Sequence, residues 1–160
     1  IDVGTGAGFP GLPLLIARPD LDLTLADSLH KRLVFLKDVL HGCGLVAELV
    51  HERAEILGKD PDYREQYDIA TARAVAPLPV LCEYCLPFVK VGGAFLALKG
   101  AEDEVAAAKC AIATLGGELE QNVSYKLPSG DSRHLVVVRK ISQPPTKYPR
   151  KPKKIDTKPL

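Results

Sequence analysis

The sequence predicts an α/β protein with a mostly parallel sheet that ends in an antiparallel hairpin. Strand-like and helix-like periodicities alternate along most of the 160 residues. A glycine-rich segment directly follows the first strand-like residues, 1–3. Further along, the turn at residues 128–131 joins two strand-like segments without room for a crossover helix. Hydrophobic residues make up 46% of the chain, which is enough for one packed core.

Strands are expected where apolar and polar residues alternate, and helices where apolar residues recur with helical spacing. The predicted strands are 1–3, 21–26, 46–50, 67–72, 94–98, 119–127 and 134–140. The predicted helices are 11–17, 33–40, 78–89 and 102–115. Parallel strands joined by helices take right-handed crossovers, with helices on both faces. A closing hairpin on such a sheet is typical of Rossmann-like class I S-adenosylmethionine-dependent methyltransferases, whereas nucleotide-dependent dehydrogenases lack it.

Composition excludes several other classes of protein. No apolar run approaches the ~20 residues that span a bilayer, and four cysteines are too few and too scattered for a disulfide framework. We therefore expect a cytoplasmic, monomeric protein. The chain contains no methionine and opens directly before the glycine-rich segment, so we expect it to lack its natural N-terminal part.

The charge of the chain is unevenly distributed. Residues 139–160 carry eight basic side chains and one acid, while residues 1–138 carry 13 basic and 19 acidic side chains. We divide the chain into a domain at 1–141 and a basic, proline-rich tail at 142–160. Because the tail holds five prolines, we expect it to be extended rather than helical. It is either a solvated terminus or an arm for a polyanion such as RNA.

The glycine-rich segment, D-V-G-T-G-A-G-F-P-G, satisfies two patterns. Gly4, Gly6 and Gly8 after Asp2 fit S-adenosylmethionine enzymes, while a G-x-G-x-x-G match starting at Gly6 fits the dinucleotide fingerprint. We favour the first pattern, because a carboxylate at the strand end suits the ammonium group of methionine.

Three further residues are candidates for a cofactor site at the carboxyl ends of the strands. Asp27 closes the second strand, where an acid binds ribose hydroxyls, although it could instead cap the following helix. Glu55 follows the third strand at a depth that suits an adenine edge, or it is a surface acid. Arg73 follows the fourth strand and faces the same crevice, or it is a solvated arginine.

Other sequence features argue against metal or covalent catalysis. Cys82 and Cys85 lie in a helix-like segment without a second pair or a nearby histidine, so we expect no metal site. No cysteine follows the fourth strand as a nucleophile would, and no Asp/Asn-Pro-Pro-aromatic segment is present. A methyltransferase of this kind needs an acceptor with a free lone pair, and N7 of guanine has one.

Several segments together resemble the RsmG (GidB) family. They are D-V-G-T-G-A-G-F-P-G-L-P-L, L-A-D-S-L-H-K-R-L-x-F-L, H-E-R-A-E, Y-D-I-A-T-A-R-A-V-A-P-L, F-L-A-L-K-G, R-H-L-V-V-V and K-Y-P-R-K-P. The resemblance implies a bacterial enzyme that methylates N7 of one guanine in 16S ribosomal RNA, free or in a small-subunit assembly intermediate, with S-adenosylmethionine as cofactor.

The resemblance also implies site residues. The cofactor contacts it implies are Gly4, Phe9, Asp27, Ser28, Leu29, Ala54, Glu55 and Arg73. The RNA contacts it implies, together with the basic tail, are Lys99, Arg133, His134, Arg150 and Lys151. Lys140 and Lys147 are expected to add phosphate contacts, and no general base or nucleophile is expected.

This chain departs from the family at two places. The family carries a helical segment before the first strand, and the last residues, K-P-K-K-I-D-T-K-P-L, differ from the more usual glycine-bearing ending. Three alternatives stay open at this point: a non-catalytic RNA-binding relic, an NAD-binding oxidoreductase and a small-molecule methyltransferase.

Overall fold

The protein is built around one seven-stranded sheet. The computed structural model describes residues 1–73 and 75–160. The strands are β1 (Asp2–Val3), β2 (Thr24–Asp27), β3 (Glu48–His51), β4 (Tyr67–Arg73), β5 (Val89–Lys99), β6 (Gly117–Lys126) and β7 (Ser132–Lys140). Their order in the sheet is β3-β2-β1-β4-β5-β7-β6. Strands β1 to β5 pair in parallel, and β7 runs antiparallel to both β5 and β6. The predicted α/β fold with a closing hairpin is confirmed.

In the part of the chain that the structure describes, six α-helices connect or follow the strands. They are α1 (Gly11–Ala17), α2 (His30–Cys43), α3 (Ala54–Leu57), α4 (Leu78–Cys85), α5 (Val105–Thr114) and α6 (Pro152–Thr157). The prediction for α1 is confirmed at both ends, whereas α3 and α6 were not predicted. The helix predicted over 78–89 is α-helical only to Cys85 and continues as a 3-10 helix over Leu86–Phe88, since Pro87 has no N–H to donate to an α-helical hydrogen bond. None of the helices in the described ranges has the length and apolar character needed to cross a membrane.

The apolar core lies on both faces of the sheet. Neighbouring residues of a strand point to opposite faces, so Leu25 packs in a cluster with leucines of α1 and α2 while Ala26 belongs to the other cluster. That second, larger cluster contains Phe88, Phe95 and much of α4 and α5. Apolar side chains therefore pack against both faces of the sheet.

The prediction that the C-terminal tail is extended rather than helical is wrong. Residues 142–160, called the strap from here on, pack onto the body of the protein. The Arg64 guanidinium donates to the carbonyls of Tyr148 (2.8 Å) and Pro144 (3.2 Å), and Ile155 of α6 is fully buried. Pro152 does not prevent this helix, because it occupies the first turn, where a missing N–H breaks no helical hydrogen bond.

Two basic residues expected to contact phosphate instead make contacts within the protein. The Arg150 guanidinium forms a two-pronged ion pair with Glu83, whose side chain is only 1% exposed. The Lys140 ammonium group donates to the carbonyls of Leu86 (2.6 Å) and Val89 (3.3 Å). Burial lowers the pKa of Lys140 to about 8. The positive charge of Arg150 therefore helps to hold the strap in place, and that of Lys140 helps to hold the hairpin in place.

The four cysteines divide into two classes of reactivity. We expect Cys43 and Cys110, which are exposed, to react with an aromatic disulfide reagent in the folded protein. Cys82 and Cys85 are buried in α4, and burial raises the pKa of Cys82 to about 12 and that of Cys85 well above its usual value. Because the thiolate is the reactive form, these two should react only after unfolding. Thiol titration with and without denaturant checks this, and a third fast thiol in the folded protein would contradict it.

The same thiols make stability depend on pH. A raised pKa in the folded state contributes stability below the unfolded value of 9.0, and this stability is lost as the pH rises toward the folded value of about 12. We expect the free energy of unfolding of the Cys82→Ala variant to fall less steeply above pH 9 than that of the parent. The Cys43→Ala variant should keep the parent slope, and urea titrations at pH 8 to 10.5 measure all three.

Candidate functional site

A crevice opens at the carboxyl edge of the parallel strands, where open α/β sheets bind their ligands. Its walls come from the ends of β1 and β2, from residues 52–55 after β3 and from residues 75–76 after β4. Two further side chains, Tyr84 of α4 and Asp156 of α6, complete the lining. A second cavity, of about 730 Å³, lies at the opposite edge beside Thr24 and Tyr67, where the strands begin.

Asp2 organises the glycine-rich loop beside this crevice. Its carboxylate is fully buried and accepts hydrogen bonds from the Thr5 hydroxyl (2.7 Å), the Gly11 amide (3.1 Å) and the Thr71 hydroxyl (3.0 Å). One side chain thus joins β1, the loop, the start of α1 and β4. The expectation that Asp2 meets the ammonium group of a ligand is wrong, because the carboxylate has no exposed surface.

The glycine at the start of α1 permits this arrangement. A Cβ atom at Gly11 would lie 2.6 Å from the Leu25 side chain and 3.0 Å from the Asp2 carboxylate. Gly4 is required for a different reason, since its φ of +67° belongs to the left-handed region and its Cβ would lie 2.8 Å from Val75.

The first turn of α1 has no amide free for a phosphate. Gly11 donates to Asp2, Leu12 to the Gly8 carbonyl (2.7 Å) and Leu14 to the Pro10 carbonyl (3.2 Å), while Pro13 has no N–H. In dinucleotide-binding folds this helix N-terminus holds the pyrophosphate. Here the protein's own carboxylate takes that place, which disfavours the dinucleotide pattern.

Asp27 lies at the crevice and does not cap the following helix. Its carboxylate accepts from the amides of Gly6 and Leu29, both at 2.9 Å, and from Arg32 at 3.1 Å. The N-cap of α2 is Leu29, so the bond from its amide closes a local turn before the helix, and the capping interpretation is wrong. The bond to Gly6 fixes the glycine loop against the end of β2.

The loop after β3 presents a second carboxylate. Glu55 is 5% exposed and pairs with the Arg53 guanidinium. The charged side chains that line the crevice are the acids Asp27, Glu52, Glu55 and Asp156 and the base Arg53. This excess of carboxylates favours a ligand rich in hydrogen-bond donors or positive charge over one that carries phosphates.

The structure brings together five of the eight predicted cofactor residues. Gly4, Asp27, Ser28, Ala54 and Glu55 all line the crevice. The other three lie outside its lining. Phe9 and Arg73 contact each other instead, with the guanidinium carbon 5.1 Å from the ring centroid. Leu29 is exposed at the start of α2.

Lys99 does not present its charge to solvent as an RNA contact would require. Its side chain is 8% exposed and its ammonium group donates to the Ala76 carbonyl at 2.8 Å. The same group pairs with Glu104 at 3.0 Å, and Glu104 also accepts from the Leu78 amide. Lys99 therefore holds the segment after β4 in place as one wall of the crevice.

The remaining predicted RNA residues are accessible. Arg133 pairs loosely with Asp131 at 3.6 Å and keeps a third of its side chain exposed. His134 lies on the same strand, partly exposed, with its Nδ1 near Asn122 and Ser124, and Lys151 is exposed just before α6.

Sequence reasoning missed Tyr84 and Asp156. The Tyr84 hydroxyl donates to the Asp156 carboxylate at 3.2 Å, across 72 residues of sequence. Burial, together with the nearby carboxylates of Asp156 and Glu55, raises the pKa of Tyr84 to about 12. No spacing rule relates the two residues, and the prediction of an extended tail placed Asp156 in solvent. Within the described residues, no group of three or more His, Cys, Asp or Glu side chains could hold a metal ion.

Comparison with known proteins gives a consistent result. Residues 1–136 match the family model described as GidB, rRNA small subunit methyltransferase G. The whole chain is similar to ribosomal RNA small subunit methyltransferase G of Acetivibrio thermocellus, with 55% identity over 67% of that protein. It is also similar to the protein of the same name from Pelotomaculum thermopropionicum, with 54% identity over 69% of its length.

Solved structures share the fold at low sequence identity. A 16S rRNA (adenine(1408)-N(1))-methyltransferase mutant from Catenulisporales acidiphilia superposes with a TM-score of 0.74 at 14% identity, covering 88% of this chain and 84% of that one. A putative methyltransferase from Bacillus halodurans gives a TM-score of 0.68 at 15% identity, covering 88% and 91%.

The buried Asp2 carboxylate should be required for stability. We expect Asp2→Ala to lower the free energy of unfolding by about 3 kcal/mol or more, because three buried donors lose their acceptor. Urea denaturation measures the loss. Asp20→Ala removes a carboxylate whose exposed partner is Arg18 and should change stability little. Equal effects of the two substitutions would show that Asp2 does not organise the loop.

Proposed function

Because the chain belongs to the ribosomal RNA small subunit methyltransferase G family, whose members act on 16S ribosomal RNA with S-adenosylmethionine, we propose that it methylates N7 of one guanine in that RNA. The observation that carries the cofactor assignment is the Asp2 carboxylate at the N-terminus of α1. It removes the phosphate site that an NAD-dependent oxidoreductase needs and leaves a crevice lined by carboxylates. S-adenosylmethionine has no phosphate, and it carries two positive groups and several hydrogen-bond donors.

The crevice residues have distinct proposed roles toward the cofactor. Asp27 and Ser28, at the end of β2, are proposed to bind the ribose hydroxyls, and Ala54 and Glu55 the adenine. Gly4 allows the close approach of the ligand to β1. Phe9, Leu29 and Arg73 adjoin the two loops that form these walls and are proposed to contact the cofactor from outside the crevice lining. Residues 1–141 are proposed to form the methyltransferase domain.

The proposed acceptor needs little from the protein beyond position. The cofactor, when bound, supplies a methyl group on a positively charged sulfur. N7 of guanine carries an in-plane lone pair at neutral pH, so no residue has to remove a proton before attack. The work of the chain is then to hold the acceptor in line and to exclude water. The buried, protonated thiols of Cys82 and Cys85 fit this proposal, since they are unable to act as nucleophiles.

The proposed partner is 16S ribosomal RNA or a small-subunit assembly intermediate. We propose that the protein binds it as a monomer, in the cytoplasm and without a metal ion. Arg133, His134, Lys147 and Lys151 are the predicted RNA residues with accessible side chains. We propose that they contact phosphates.

The direct test of function is methyl transfer. Ribosomal RNA from a strain that lacks the modification is incubated with the protein and labelled cofactor, and the product nucleotide is mapped. We expect label at N7 of a single guanine. Label at another atom would overturn the acceptor assignment, and RNA binding without transfer would favour a non-catalytic relic.

Asp27 should matter for cofactor binding. We expect Asp27→Ala to weaken binding of S-adenosylhomocysteine, the demethylated cofactor, roughly 10- to 100-fold, which corresponds to about 1.4–2.8 kcal/mol for a charge-assisted hydrogen bond. Titration calorimetry measures the affinity, and a thermal melt confirms that the variant is folded. Asp38→Ala, on the exposed face of α2, is the matched control and should bind as the parent does. Unchanged affinity in Asp27→Ala would remove Asp27 from the site.

The accessible basic residues should affect RNA binding through salt. We expect Lys151→Ala and Arg133→Ala each to reduce the steepness of log affinity against log salt by about one unit. Each variant makes one phosphate contact fewer, so RNA binding releases fewer counterions. Lys37→Ala, exposed on α2, should leave the slope unchanged. Filter binding at several salt concentrations measures the slopes. A parent slope in both the Lys151→Ala and the Arg133→Ala variant would contradict the proposed RNA contacts.

A further inference from the structure

The strap contributes a side chain to the crevice. Asp156 of α6 lies in its lining, together with Tyr84 of α4. This placement comes from the far end of the chain, outside residues 1–136 that match the family model. The question is therefore what a carboxylate from the strap does at this position.

The strap is held firmly enough to fix this carboxylate. Glu83, next to Tyr84 on α4, accepts from the Arg150 backbone amide at 2.7 Å and from its guanidinium at 2.6 to 3.1 Å. Ile155 is fully buried in the core directly before Asp156. An ion pair at Arg150 and a buried side chain at Ile155 thus fix the residues that lead to Asp156. Tyr84 donates to the Asp156 carboxylate itself at 3.2 Å.

Asp156 lies at the end of the crevice formed by the loop after β3. The charge of Asp156 acts on Arg53 of that loop, and the charge of Glu55 acts on Tyr84, the hydrogen-bond donor to Asp156. In the proposed function this loop receives the adenine. The strap therefore contributes a lining residue at the proposed adenine end of the crevice.

Of the three carboxylates at this end, Asp156 is the most exposed. Glu55 is 5% exposed and pairs with Arg53. Glu52 accepts from the Arg53 backbone amide. Asp156 is exposed toward the crevice, and among the described residues Tyr84 is its one hydrogen-bond donor. A carboxylate offers about four acceptor sites, so most of those of Asp156 remain for a ligand.

We propose that the strap is part of the cofactor site and that Asp156 accepts a hydrogen bond from the exocyclic amino group of adenine, an inference that rests on the proposed function. Tyr84 and the Arg150–Glu83 pair are positioning residues, which hold Asp156 at the adenine edge. The strap then selects adenine over bases that present a carbonyl oxygen at the same place.

The test exchanges donor and acceptor on both sides of this hydrogen bond. S-adenosylhomocysteine is compared with S-inosylhomocysteine, in which a carbonyl oxygen replaces the amino group. We expect the parent to bind the adenosine compound at least about tenfold more tightly, because the carboxylate accepts from an amino group and repels a carbonyl oxygen. In D156N the side-chain amide can donate to that oxygen, so the preference should fall to within about threefold or reverse.

The controls separate this role from a structural one. D62N makes the same change of charge at an exposed residue outside the crevice and should keep the parent preference. A general loosening of the strap would weaken both ligands equally and leave their ratio unchanged. Amide hydrogen exchange of residues 152–157 gives an independent readout, and it should slow when S-adenosylhomocysteine binds the parent.

The outcomes distinguish this inference from the function on which it rests. If the parent binds S-adenosylhomocysteine and D156N keeps the parent preference for adenine, the role of Asp156 is overturned and the proposed function stands. If the parent binds neither compound, the cofactor assignment fails and the inference fails with it. If the ratio of the affinities for the adenosine and inosine compounds changes in D156N and stays at the parent value in D62N, both the role of Asp156 and the cofactor assignment are supported.

Discussion

The Asp2 carboxylate is the interaction on which the rest of the site depends. A buried carboxylate is tolerated only when donors surround it, and Asp2 receives three, from the glycine loop, α1 and β4. The loop can close around it only because position 11 is glycine. This single buried charge fixes the path of the chain after β1, and it also determines which ligands the sheet edge can accept.

The buried Asp2 carboxylate affects the chemistry of ligand binding as well as the path of the chain. Glycine-rich loops before a helix are usually associated with phosphate, since the helix N-terminus presents free amides. In this protein the first-turn amides of α1 are used internally, and four of the five charged side chains that line the crevice beside them are acids. Selectivity for a phosphate-free, donor-rich cofactor then follows from electrostatics as well as from shape.

A second theme is the use of basic residues for internal binding. Arg150, Lys140 and Lys99 each hold two parts of the chain together through carbonyls or a buried carboxylate. Arg150 fixes the strap to α4, Lys140 fixes the end of the hairpin to the start of β5, and Lys99 fixes the segment after β4. The Arg150 and Lys99 contacts fix segments that line the crevice, and all three positive charges are used within the protein.

The sequence by itself determined the sheet, its closing hairpin and the edge at which the site lies. Those features follow from local periodicity and from the rule that parallel strands place their carboxyl ends together. Asp27 and Glu55 were predicted because they lie at or after the ends of neighbouring strands, and Gly4 because the resemblance implies it. The tertiary structure alone decided the roles of Asp2, Lys99 and Arg150, because charge in a sequence does not reveal burial or partners. It also decided that Asp156 lies in the crevice. A helix of six residues after a proline has little local preference for forming, and its position depends on the burial of Ile155 and on the Glu83 carboxylate, 67 residues away from Arg150.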